Sequence, residues 1–136
     1  MATQQIIIPK WEKKYEIGIP EIDFQHKYFL ELIKRFYDLA KSGISKVHIH
    51  NYLKELSLYT QFHFCSEENI MNLHAYPAAK AHKQLHIDLI EELTNKIGLC
   101  ELGELSLDEV TYFLVEWYID HTQKEDLKLA YFLNNN

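Results

Sequence analysis

Histidine placement constrains this chain more than any other feature. Of eight histidines, five (His26, His63, His82, His86 and His121) fall on the apolar stripe of a helix-period segment instead of its polar face. Two acids, Glu67 and Asp126, share those stripes. The four-residue intervals His63–Glu67 and His82–His86 put both side chains of each pair on one helix face, a turn apart. Burying five imidazoles and two carboxylates without partners would cost several kcal/mol for each charge. The four segments must therefore converge, so that these groups satisfy one another or hold something between them.

Sparse punctuation divides the chain. Proline occurs only at 9, 20 and 77, and glycine only at 18, 43, 98 and 103. Residues 1–19 read as an extended arm carrying Trp11, Tyr15 and Ile17. A first helix starts near Pro20, a residue tolerated in the first turn. Its stripe runs Ile22, His26, Phe29, Leu30, Ile33, Phe36, Tyr37 and Ala40, and Ser42-Gly43 stops it. Ser45 can cap a second helix, with Tyr52, Leu56, Tyr59, His63, Glu67, Ile70 and Met71 on one side. Pro77 can open a third, where Leu85, His86, Leu89, Leu93 and Ile97 align before Gly98. Ser106 with Glu109 forms a capping box for a fourth, carrying Val110, Leu114, Trp117 and His121. Leu127–Leu133 reads as a short terminal helical segment. Helices of ~20 residues are ~30 Å long, and short links favour an all-α, up-down-up-down four-helix bundle. The expectation is a single domain over 1–136, with the arm at 1–19 and the bundle at 20–133.

The net charge of −6 argues against a nucleic-acid partner, since phosphate binding relies on clustered Lys and Arg. No apolar run approaches the ~20 residues needed to span a bilayer, so membrane insertion is not expected. Ile6-Ile7-Ile8 is too short for a signal-peptide core. Cys65 and Cys100 lack zinc-type or redox-type spacing, and free thiols fit a reducing compartment. The expected location is the cytoplasm.

Imidazole nitrogen and carboxylate oxygen suit intermediate metals such as iron, manganese and zinc, and seven donors are too many for one ion. If both acids and one hydroxide bridge two ions, each ion receives three bonds. Five histidines then divide three and two. One ion reaches six-coordination and the other stops at five, leaving one open position on one metal. A histidine-rich core with one vacancy suits holding dioxygen better than the carboxylate-rich sites that stabilise high-valent iron. His121 and Asp126 are five residues apart, ~140° on a regular helix. Either the carboxylate reaches sideways or the helix carries a local π-bulge.

The pattern His26, His63-x3-Glu67, His82-x3-His86, His121-x4-Asp126 resembles hemerythrin, most closely the single-domain bacteriohemerythrins. Trp11 before Ile17-Gly18, the run Ile22-Asp23-x-Gln25-His26-Lys27, Glu67-Glu68-x2-Met71 and Tyr76-Pro77 extend the match from Trp11 to about Phe132. The resemblance implies a bundle with a non-haem di-iron centre, hydroxo- or oxo-bridged, that binds dioxygen reversibly. By position, His82, His86 and His121 would hold the six-coordinate iron, and His26 and His63 the iron that takes up oxygen. Glu67 and Asp126 would bridge. The oxygen pocket would include Phe29, Phe64, Trp117, Tyr118 and Thr122. Thr122 departs from the isoleucine usual in the family, and Leu89 from a common phenylalanine; both bear on oxygen affinity and autoxidation, because pocket polarity governs proton access.

Outside this set, His48 and His50 read as exposed at the start of the second helix, and His74 as a helix-end residue. Cys65, ~200° around the helix from His63, should point away from the metals. Glu68 reads as exposed or as a support for a ligand, and Gln25 as surface in preference to a support for His26. Oxygen transport, storage or delivery without catalysis is the leading function, with a monomeric protein and an oxygen-consuming enzyme as a possible acceptor. The alternatives are oxygen or redox sensing through a partner, for which no output module is expected after Asn136, and a di-iron oxidase or peroxidase. The latter would want a second open position.

Overall fold

The computed structural model describes residues 6–135; the first five residues of the expected arm and Asn136 lie outside them. Four helices form the bundle: α1 (Pro20–Lys41), α2 (Lys46–Leu73), α3 (Ala79–Glu101) and α4 (Leu107–Asp120). A π-helical turn, His121–Asp126, continues α4 into α5 (Leu127–Asn134). Successive helices pack on each other and α1 closes against α4. Short connections of this kind force antiparallel neighbours.

The helix ends follow local chemistry. Pro20 stands at the first position of α1. The Asp23 carboxylate accepts from the Ile17 and Gly18 amides at 2.7 and 3.2 Å, with Gly18 at φ +92° supplying the bend. Ser42 and Gly43 (φ +82°) end α1 as the spacing predicts. The Ser106 hydroxyl accepts from the Glu109 amide at 3.1 Å. Three expectations need correction. Ser45 precedes α2 but makes no side-chain cap. α3 begins at Ala79, not Pro77, because Tyr76–Ala79 first closes a turn, with the Ala79 amide donating to the Tyr76 carbonyl. α3 also runs through Gly98 to Glu101, and Gly103, at φ +77°, makes the turn beyond it. Among the described residues of the arm, a 3-10 turn, Lys13–Tyr15, interrupts the extended chain. Trp11 rests on Tyr15, and Tyr15 meets the edge of Tyr118.

Apolar burial divides along the bundle. A large cluster around Phe29, Ile33, Phe36, Leu56, Val110 and Leu114 fills one end. A small one, Ile17, Ile22 and Ala130, closes the other. In α3 only His82, His86 and Leu93 are buried, and Leu85, expected on its stripe, is 37% exposed. The third helix thus buries its two histidines and Leu93 fully, and packs Leu89, Ile90, Ile97 and Cys100 half-buried against the large cluster.

Candidate metal centre

Antiparallel packing brings the start of α1, the end of α2, the start of α3 and the end of α4 to one level. His26, His63, Glu67, His82, His86, His121 and Asp126 meet there, each at most 4% exposed. The π turn resolves the spacing problem in α4. Its wider i→i+5 period returns the chain to the same face after five residues, and the His121 Nε2 stands 3.1 Å from Asp126 Oδ1.

The donor atoms form two groups that share Asp126: Glu67, His82, His86, His121 and Asp126 in one, and His26, His63 and Asp126 in the other. Asp126 faces both. Its Oδ2 lies 3.0 Å from His26 Nε2, and its Oδ1 lies 3.2 Å from His82 Nε2 and 3.1 Å from His121 Nε2. Glu67 Oε1 stands 3.3 Å from His63 Nε2 and 3.4 Å from His86 Nε2. The nitrogens also approach in pairs, His26 to His63 and His86 to His121, both at 3.2 Å between Nε2 atoms.

These separations fit a shared cation. Two nitrogens bound to one ion at ~2.1 Å and at right angles lie about 3 Å apart. Both Glu67 oxygens, Asp126 Oδ1 and His82 Nε2 are buried without a hydrogen-bond partner. Groups left so would each lose ~1–3 kcal/mol or more, and coordination removes that cost. Without metal, protons do part of the same work. His121 is pushed up to about 10: burial opposes its charge, but Asp126 and then Glu67 outweigh burial. Burial also opposes the Glu67 charge, yet its close polar neighbours Asp126, His63 and His121 outweigh burial and hold the carboxyl well below the usual range.

The ring nitrogens turned away from the centre have their own partners. His86 Nδ1 meets Glu68 Oε2 at 2.9 Å, and His63 Nδ1 donates to Gln25 Oε1 at 2.7 Å. Gln25 is therefore buried, at 6% exposure, and supports His63; the expectation of a surface residue beside His26 is overturned. Its amide Nε2 donates to Ser66 Oγ at 3.1 Å, a residue the sequence did not single out. The signal was present: Ser66 and Glu68 flank Glu67 on α2, and residues ~100° to either side of an inward position face the neighbouring helices.

Aromatic rings wall the cluster. Phe64 stacks on His86 with centroids 3.8 Å apart, and Trp117 lies parallel to His121 at 5.7 Å. Tyr118 meets the edge of His26 at 5.8 Å, and Phe29 contacts both Trp117 and Tyr118. Thr122 is buried, and its hydroxyl donates to the Tyr118 carbonyl. His48, His50 and His74 are exposed and outside the cluster, as is the Cys65 side of α2.

A four-helix bundle with imidazoles and carboxylates converging in its interior defines a helical metal-binding protein. Residues 17–133 match the family model described as the hemerythrin HHE cation binding domain, and the chain belongs to that family. It is 32% identical over 116 residues to a bacteriohemerythrin of Pseudomonas aeruginosa, covering 85% of this chain and 75% of the relative. A bacteriohemerythrin of Stenotrophomonas maltophilia is 28% identical over 120 residues (88% and 78% covered). One from Clostridium acetobutylicum is 28% identical over 125 residues (85% and 94%). Among the described residues, no helix is long and apolar enough to cross a membrane.

Proposed function

We propose that the protein binds dioxygen reversibly at a non-haem di-iron centre, for carriage, storage or delivery without catalytic turnover. In this reading His82, His86 and His121 hold one iron and His26 and His63 the other. Glu67 and Asp126 would bridge them, alongside a hydroxo or oxo group. The observation that carries it is the unequal division of nitrogens about Asp126: His82 and His121 face Oδ1, and His26 faces Oδ2. Two ferrous ions held in such a site would supply the electrons that reversible dioxygen binding draws on.

The chain's own residues then act by position and exclusion. Phe29, Phe64, Trp117 and Tyr118 keep water from the cluster with buried ring surface, and a dry pocket slows proton access. Thr122 belongs to the same pocket with its hydroxyl already engaged by the Tyr118 carbonyl. Asp126 and Glu67 balance the cation charge, which a fully apolar bundle could not do. The accompanying expectations are a monomeric, cytoplasmic protein organised as one domain.

The test is anaerobic iron reconstitution followed by an oxygen titration read optically. The expected result is two irons per chain and an absorption band that appears with oxygen, vanishes under vacuum and returns on re-aeration. Sustained oxygen consumption in the presence of a reductant would replace carriage by an oxidase or peroxidase activity.

A further inference from the structure

Three consecutive residues of α2 serve the centre in three ways. Glu67 enters the cluster. Glu68 accepts from His86 Nδ1 at 2.9 Å. Ser66 holds the amide of Gln25 at 3.1 Å, and Gln25 Oε1 accepts from His63 Nδ1 at 2.7 Å. The Tyr59 hydroxyl fixes the Gln25 backbone by donating to its carbonyl at 3.0 Å. Both histidines are thereby set with Nδ1 protonated and the Nε2 lone pair aimed inward, but by acceptors of different charge.

Hydrogen bonds to an ionised acceptor are roughly twice as strong as neutral ones, and a carboxylate behind an imidazole raises the basicity of its other nitrogen. Glu68 does this for the three-histidine side. The two-histidine side has only the neutral amide of Gln25 behind His63, and His26 Nδ1 is buried without a partner. We infer that Glu68 and Gln25 are positioning residues that set unequal metal affinities at the two positions, so that the three-histidine side fills first and the two-histidine side holds its ion more weakly. The inference rests on the two-metal reading above.

The experiment titrates metal-free full-length protein with cobalt(II) under nitrogen at pH 8, followed by visible absorption. Wild type should take up two ions per chain in two steps. Glu68→Gln should weaken the first step by about 10-fold and leave the second within about 3-fold, the scale typical of supporting hydrogen bonds to metal ligands. Gln25→Glu should tighten the second step by about 10-fold. Tightening is the response that a merely structural role cannot produce, since damage to packing only weakens binding. Both variants are near-isosteric, and circular dichroism checks that each remains helical. Two steps in wild type with both variants unchanged would overturn the inference and leave the two-metal reading standing. A single ion per wild-type chain would overturn both.

Discussion

His121 and Asp126 are five residues apart in one helix, yet their Nε2 and Oδ1 atoms stand 3.1 Å from each other. A π turn over His121–Asp126 makes this possible, and it carries two groups of the cluster on a stretch whose i→i+5 period departs from the α-helices on either side. Metal binding should therefore protect these six amides more than those of Val110–Trp117. Hydrogen exchange with and without bound zinc measures this; equal protection in both segments would detach the π turn from metal binding.

Proton bookkeeping gives the metal-free protein a definite pH profile. His121 keeps its proton to about pH 10 in the fold, against 6.5 when unfolded. Its contribution is complete below the unfolded value and is lost as pH rises through the window between the two. Each tenfold difference in proton affinity is worth ~1.4 kcal/mol, so a few kcal/mol are at stake. Glu67 has the opposite sign: its carboxyl is depressed well below 4.5, and its contribution is lost as pH falls below that value. Urea midpoints of chelator-treated protein should be highest between about pH 4.5 and 6.5 and should fall towards pH 9. A midpoint that rises from pH 6.5 to 9 would contradict the His121 assignment.

The same proton must leave when a metal takes the His121 nitrogen. Loading at pH 7.5 should release at least one proton per chain, measured as a buffer-dependent heat in titration calorimetry. Heats independent of buffer ionisation enthalpy would mean that His121 is not displaced.

The bundle was legible in the sequence because its signals are local: the helical period, Pro20, Gly43 and the Ser106 cap each act within a turn or two. The seven clustered residues were legible because charge on an apolar stripe demands a partner. The helix limits at Ala79 and Glu101 were not, since Pro77 and Gly98 tolerate more than one backbone state and tertiary packing chose between them. Gln25 was misread for a related reason. Its partners, His63 and Ser66, lie about forty residues away, and no spacing along α1 reports a contact made across helices.

Removing metal should cost the fold heavily. A ligand present at a thousand times its dissociation constant stabilises by ~4 kcal/mol, and each kcal/mol moves the melting temperature of a chain this size by roughly 3–6 °C. Chelation should lower the midpoint by more than about 10 °C. Differential scanning calorimetry decides, and a shift under 2 °C would make the centre peripheral to stability.

His63 and Glu67 should fail differently when truncated. His63→Ala removes one of only two nitrogens on its side, so oxygen uptake should be abolished. Glu67→Ala removes a carboxylate that faces both sides, so iron per chain should fall. Full iron loading with normal uptake in either variant would refute its assignment.

Thr122 is a buried polar residue in the pocket proposed for oxygen, yet its hydroxyl is spent on the Tyr118 carbonyl one turn earlier in the helix. What remains of the side chain is a methyl group. Thr122→Val keeps that methyl and removes only a hydrogen bond whose acceptor already belongs to the helix, so the stability cost should be ~1 kcal/mol or less. The autoxidation rate of reconstituted, oxygen-loaded protein should stay within about threefold, which is under ~0.7 kcal/mol of barrier. A tenfold slower autoxidation in Thr122→Val would show that the hydroxyl leaves the Tyr118 carbonyl and carries protons to bound oxygen; the time course of the oxygen-dependent band after loading distinguishes the two.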